Sequence, residues 1–162
     1  MLARFRHVPF AAIRLDDVAA DAEVTVQTAI RHFGGKEQLM AAVAAREVQR
    51  IAAARADASF AARGSAVAAL CGYYESDGEL IARFEQEASA IPALDELARR
   101  GREVHIGWIA RVFAPATADD IRMAQLVAVL DVRTWQVIRR ERGLSPADTL
   151  HALEELVAAV TA

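Results

Sequence analysis

Between Thr25 and Lys36 the chain sets Thr25, Gln27, Thr28, Arg31, His32 and Lys36 close together. Gln pairs with adenine through two hydrogen bonds, Thr touches a thymine methyl or a phosphate, and Arg serves guanine or phosphate. Taken singly, each of these would be an ordinary solvated position on a helix. Other candidate chemistry is thin. The pairs Glu85 with Glu87 and Glu103 with His105, and Cys71 with distant histidines, have neither triad nor metal-ligand spacing. Glu103 and His105, two apart on a helix, do not share a face. Gly34 and Gly35 lack the flanking strand and the spacing of a phosphate loop. No enzyme activity, metal or cofactor is therefore expected. The single cysteine, Cys71, makes no intrachain disulfide and reads as a small buried hydrophobe.

The elements that must position the polar set read as short helices. Helical pieces are expected over residues 3–8, 15–22 and 26–32, with Thr25 as N-cap of the third. Gly34-Gly35 breaks the chain, and a long helix follows over 36–56 with Leu39, Val43 and Val48 on its apolar stripe. Val18, Ala19, Ala22, Val24, Val26 and Phe33 are expected to form the small core of this block. Two short helices joined by a tight turn free the second to enter a major groove of double-stranded DNA. Beyond the stretch 52–64, helices are expected over 65–76, 78–90, 93–113, 118–142 and 146–160, the last opened by Ser145-Pro146. Strand-like alternation is essentially absent, so the expected class is all-α.

The 162 residues are 54% hydrophobic, much of this alanine, which favours close helix packing. Two domains are expected, residues 1–50 and 51–162. The first carries a formal charge of +1 and the second −4, a sign that suits a DNA reader joined to an acidic sensing and assembly domain. No window reaches the ~18 apolar residues of a membrane span, and no signal peptide is evident, so a cytoplasmic protein with no membrane partner is expected.

The run Val24 to Leu39, reading Val-Thr-Val-Gln-Thr-Ala-Ile-Arg-His-Phe-Gly-Gly-Lys-Glu-Gln-Leu, resembles the DNA-binding signature of the TetR family of repressors. The likeness runs from about Phe5 to Val43. It implies a three-helix helix-turn-helix domain with DNA contacts from Thr25, Gln27, Thr28, Arg31 and His32, and a phosphate contact from Lys36 at the head of the next helix. Residues 130–145 are similar to the end of the effector domain in one branch of the family. The resemblance further implies a homodimer on a partly palindromic operator, usually repressing transcription until a ligand binds the second domain. Three positions depart from the pattern. Glu23 stands where glycine is usual in the turn, Ile30 replaces a common tyrosine, and the segment matching the first helix is short. A helical dimerisation or interaction protein that has lost DNA binding through this short helix is the rival reading.

In the second domain, Tyr73, Tyr74, Phe84, Trp108, Phe113 and Trp135 are large aromatics of the kind that line a pocket between bundle helices. With Cys71, Glu87, His105 and Arg133 they make a candidate site for a small apolar or aromatic ligand. The last two helices should pack antiparallel across the short connection 143–145. Leu126, Val129, Val137, Leu150, Leu153 and Val157 are the expected dimer interface.

Overall fold

Helix is the consequence of an alanine-rich, glycine-poor sequence, and among the described residues no strand occurs. The computed structural model describes residues 1–56, 63–89 and 91–162, without the side chains of residues 63, 64, 92 and 93. The elements are α1 (Leu2–Phe5), a 3-10 turn (Phe10–Ala12), α2 (Leu15–Asp21), α3 (Val26–Phe33), α4 (Lys36–Ala54), α5 (Arg63–Ala88), α6 (Pro92–Val112), a second 3-10 turn (Ala116–Ala118), α7 (Asp120–Val129), α8 (Val132–Gln136), a single π turn (Val137–Glu141) and α9 (Pro146–Thr161). They fall into two compact units: residues 1–51 with 83–101, and residues 52–82 with 102–162. Residues 57–62 of the expected stretch 52–64, and Ala90 at the expected end of one helix, lie outside the described residues.

In the first unit the core is built from Phe5, Phe10, Ile13, Val18, Ala19, Ala29, Leu39, Met40 and Ala44, all buried. Phe5 packs edge-on against Phe84, with ring centroids 5.7 Å apart. Arg4 Nη2 donates to Asp21 Oδ1 at 2.7 Å, tying α1 to the end of α2, and this bond lowers the Asp21 pKa. The expected core differs from this one. Ala22, Val24 and Phe33 are exposed, Val24 and Phe33 each at 44%. The reason is the exit from α2, where Glu23 takes a left-handed φ of 54°. Glu23 N–H donates to Ala20 O and Val24 N–H to Ala19 O, both at 3.0 Å. This is the Schellman arrangement that satisfies a helix's last carbonyls. Val24 beyond it is exposed, whereas Phe10, in a 3-10 turn whose three residues are too short to leave a periodic trace, and Ile13 just after that turn are buried in the core.

In the second unit Trp108, Phe113, Leu126, Leu130, Trp135 and Leu153 are almost completely buried in one apolar cluster. Two expected boundaries move. Residues 65–76 and 78–90 are joined in the single helix α5, because Gly78 costs a helix only about 1 kcal/mol and here gives room to a neighbour. A Cβ at Gly78 would meet Trp135 at 2.5 Å. Conversely the expected helix 118–142 is broken at Leu130–Asp131 without any glycine or proline. Asp131 caps a new helix by accepting from Arg133 N–H at 2.8 Å, and Thr134 Oγ1 donates back to Ala128 O at 2.6 Å. Ser145 caps α9 by accepting from Asp148 N–H at 3.1 Å, with Pro146 at the first helical position as expected.

Candidate functional site

Helix α3 is short, and its ends are fixed locally. Thr25 Oγ1 accepts from Thr28 N–H at 3.1 Å and lies 2.9 Å from Thr28 Oγ1, so Thr25 is the N-cap that the sequence suggests. At the other end Gly34, with φ of 89°, donates its N–H to Ile30 O at 2.7 Å and stops the helix. Val26 and Ala29 lie on the inner side, where Ala29 is buried. Gln27, Ile30 and Arg31 follow at spacings of three and four, share the opposite face, and are exposed. Ile30 is 46% exposed, an apolar side chain held toward solvent between a glutamine and an arginine. His32 is exposed at the end of the same helix, and Thr28 is half-buried. A glutamine and an arginine one turn apart on a capped, outward-facing helix are side chains able to hydrogen-bond base edges, and an exposed isoleucine is able to meet a thymine methyl.

Lys36 is occupied differently. Its Nζ donates to Phe10 O at 3.0 Å and Ile13 O at 2.9 Å, with Ala11 O at 3.4 Å, and it stands 4.4 Å from the centre of the Phe10 ring. The ammonium has three protons, and two carbonyls of the 3-10 turn together with that of Ile13 just after it stand within reach of them. From the other side, Glu87 Oε2 accepts from Phe10 N–H at 2.7 Å. The Phe10 turn is thus held at its amide by a carboxylate and at its carbonyl by an ammonium, both charge-assisted bonds. Glu87 also faces Arg83 at 3.8 Å.

The candidate ligand residues divide between the units. Phe84 and Glu87 belong to the first unit, where they support Phe5 and Phe10. Cys71, Tyr74, His105, Trp108 and Trp135 belong to the second. Arg133 is exposed on α8. Periodicity could not separate these, because α5 runs from residue 63 to 88 and one apolar stripe serves both cores. Trp135 is locked: its Nε1 donates to Glu75 Oε1 at 3.2 Å, Arg139 Nε donates to the same oxygen at 2.8 Å, and Arg140 lies 5.0 Å over the ring. Cys71 is buried, and burial pushes its thiol up to about 11, which leaves it inert as a nucleophile.

His105 is less settled. Both ring nitrogens are buried with no hydrogen-bond partner among the described residues, and the ring stacks on Trp108 at 5.7 Å and 24°. The nearby Leu130 carbonyl accepts from the Tyr74 hydroxyl at 2.8 Å and, through its second lone pair, weakly favours a protonated His105. Burial first, and then the charge of Arg55, push the His105 pKa down to about 3, so the imidazole is neutral at neutral pH. Arg55 itself went unnoticed in the sequence. It is only 7% exposed, and its guanidinium lies 5.5 Å from the Trp108 ring and 5.9 Å from the Tyr73 ring. A signal was present, since no carboxylate stands three or four residues from Arg55 in either direction.

Of the expected dimer residues, Leu126, Leu153 and Val157 are buried within this chain's own core. Val129 and Leu150 are half-buried and Val137 is 44% exposed. Ile121 and Leu156, at 71% and 42%, are further exposed apolar side chains of the same unit.

Among the described residues no helix is long and apolar enough to cross a membrane, and no group of three His, Cys, Asp or Glu is placed to hold a metal ion. No curated protein and no solved structure matches the chain at a significant level. Residues 2–43, which hold α1 to α3 and the head of α4, match the family model of the bacterial regulatory proteins, tetR family. The match covers the N-terminal helix-turn-helix, and over these residues the chain is similar to the tetR family, which supports a DNA-binding transcriptional regulator with an N-terminal reader of this type.

Proposed function

We propose that the protein is a cytoplasmic, ligand-responsive repressor that acts as a homodimer on a partly palindromic operator. Residues 1–50 read DNA, and residues 51–162 sense a small apolar or aromatic molecule and assemble the dimer. The observation that carries this reading is the exposed face of α3, where Gln27, Ile30 and Arg31 stand together on a helix capped at both ends. A homodimer sets two such helices one turn of DNA apart, about 34 Å, in successive major grooves. Gln27 and Arg31 discriminate bases there, Thr25, Thr28 and His32 flank them toward the phosphates, and Lys36 holds the turn behind them. The exposed apolar side chains Ile121, Val137 and Leu156 support assembly through the second unit. A ligand that favours one spacing of the two readers with ~1 to 3 kcal/mol of coupling changes operator affinity roughly 5- to 150-fold.

Selection of bound duplexes from a random pool tests the reading. Two inverted half-sites centred about ten base pairs apart are expected, together with a dimer by light scattering at micromolar concentration. A strict monomer, or retention of duplexes without any shared half-site, contradicts it. Leu156→Glu, at an exposed position, should dissociate the dimer without unfolding the chain.

A further inference from the structure

We propose that the second unit holds a binding site for a small monocarboxylate with an apolar body, in which Arg55 grips the carboxylate and His105 stands beside it. The inference rests on the ligand-sensing reading above and names the ligand's chemistry. Arg55 is more than nine-tenths buried, yet its Nε and Nη1 have no hydrogen-bond partner among the described residues. A guanidinium does not shed its charge, so burial cannot be relieved by deprotonation as it can for lysine. The π faces of Tyr73 and Trp108 attract the cation, but they offer no acceptors in place of the water it has lost.

His105 supplies the second, independent observation. It stacks on the same indole, Trp108, and neither of its buried nitrogens makes a hydrogen bond of normal geometry among the described residues, the Leu130 carbonyl acting on the ring only weakly. Nε and Nη1 of Arg55 and the imidazole beside them are thus short of hydrogen-bond partners among the described residues, in an interior where buried polar atoms are normally paired. Tyr73 and Tyr74 are the other titratable groups that act on Arg55, and the Tyr74 hydroxyl donates its proton to Leu130 O. The planar fork of Arg55 matches the two oxygens of a carboxylate, and neutral His105 has one N–H to donate to the same group. The charge count decides between anions. Arg55 is one cation beside a neutral imidazole, which balances a monocarboxylate and leaves a phosphate dianion in excess. The rings of Tyr73 and Trp108 suit an aromatic or aliphatic body attached to that carboxylate.

The test uses the full-length protein and its tryptophan fluorescence, with benzoate, phenylacetate, hexanoate and decanoate, each beside its neutral amide. Saturable binding of at least one carboxylate is expected, about 10- to 100-fold tighter than its amide. Arg55→Met should abolish that preference and should raise the melting temperature of the unliganded protein by about 3 °C or more, because an unpaired buried charge is removed. Arg55→Lys keeps the charge and should retain part of the preference. Equal binding of acid and amide, a preference that survives Arg55→Met, or no saturable carboxylate binding overturns the inference. Sensing is judged separately, by release of operator DNA. Release by the amides as well as the acids leaves sensing standing and removes the carboxylate site, whereas no release by any compound of a broad panel removes sensing.

Discussion

Lys36→Met separates two roles for the lysine at the head of α4. The methionine keeps most of the stem against Phe10 and removes only the ammonium, so three carbonyls lose their donor. Two of the bonds are well formed, at 2.9 and 3.0 Å, and the third is long at 3.4 Å. A bond to a charged group contributes about 1.5 to 3 kcal/mol, but these three share one cation and the site is half-open to water. About 2 kcal/mol is the expected loss, which lowers the melting temperature by about 4 to 8 °C in a chain of this length. Thermal melts followed by circular dichroism read that term directly. DNA binding measured across a salt series, well below the melting temperature, reads the other role. If Lys36 holds the Phe10 turn, the slope of log affinity against log salt stays that of the wild type. An unchanged melting temperature with a slope reduced by about one unit would show that the ammonium leaves the turn for a phosphate and would refute the reasoning.

Three further perturbations follow from particular geometries. Glu23→Gly relieves the left-handed residue at the end of α2 and should stabilise the first unit by about 0.5 to 1 kcal/mol in urea unfolding, since the glycine gain is partly offset by chain entropy; destabilisation would show that the Glu23 side chain matters. Gly78→Ala drives a methyl into the buried Trp135 ring and should cost about 1 to 3 kcal/mol, whereas an unchanged midpoint would mean that Trp135 is free to move. Buried His105 titrates at about 3 when folded and ordinarily near 6.5, so the unfolded chain binds the extra proton between these values. Stability from this group is complete above about pH 6.5 and falls as pH drops toward 3, by about 2 kcal/mol at pH 5. His105→Phe should flatten that part of the pH–stability curve, and a curve that His105→Phe leaves unaltered would contradict neutral burial.

The reader domain was legible because its signals are local. Thr25 as a cap, Gly34 as a stop and the polar spacing of Gln27 and Arg31 all operate within one or two turns, and the tetR-family match covers the same residues. Glu23 in the place of glycine also announced a left-handed turn, and the turn is there. Its consequence for packing was not legible, because the burial of Phe10 and Ile13 and the exposure of Val24 depend on contacts between distant residues. Lys36 shows the same limit. A lysine at a helix head is equally suited to phosphate and to backbone carbonyls, and only the fold brings Phe10, Ala11 and Ile13 beneath it. In the second unit the break at Asp131 is made by a side-chain cap inside an otherwise continuous apolar pattern. Arg55, in an alanine-rich stretch, differs in the sequence from a solvated surface cation only in lacking a carboxylate one turn away, and its burial against Trp108 depends on the fold.

The central claim is that the exposed face of α3 reads base sequence, and Gln27→Ala tests it most directly. Binding of the wild type and the variant is measured on the selected operator and on random duplex at the same salt concentration. On the operator the variant should lose about 1 to 3 kcal/mol, with its preference for that sequence relaxed at one position in each half-site, while its affinity for random duplex should stay within about twofold of the wild type. Equal losses on both DNAs, or no loss on either, would contradict base reading by α3.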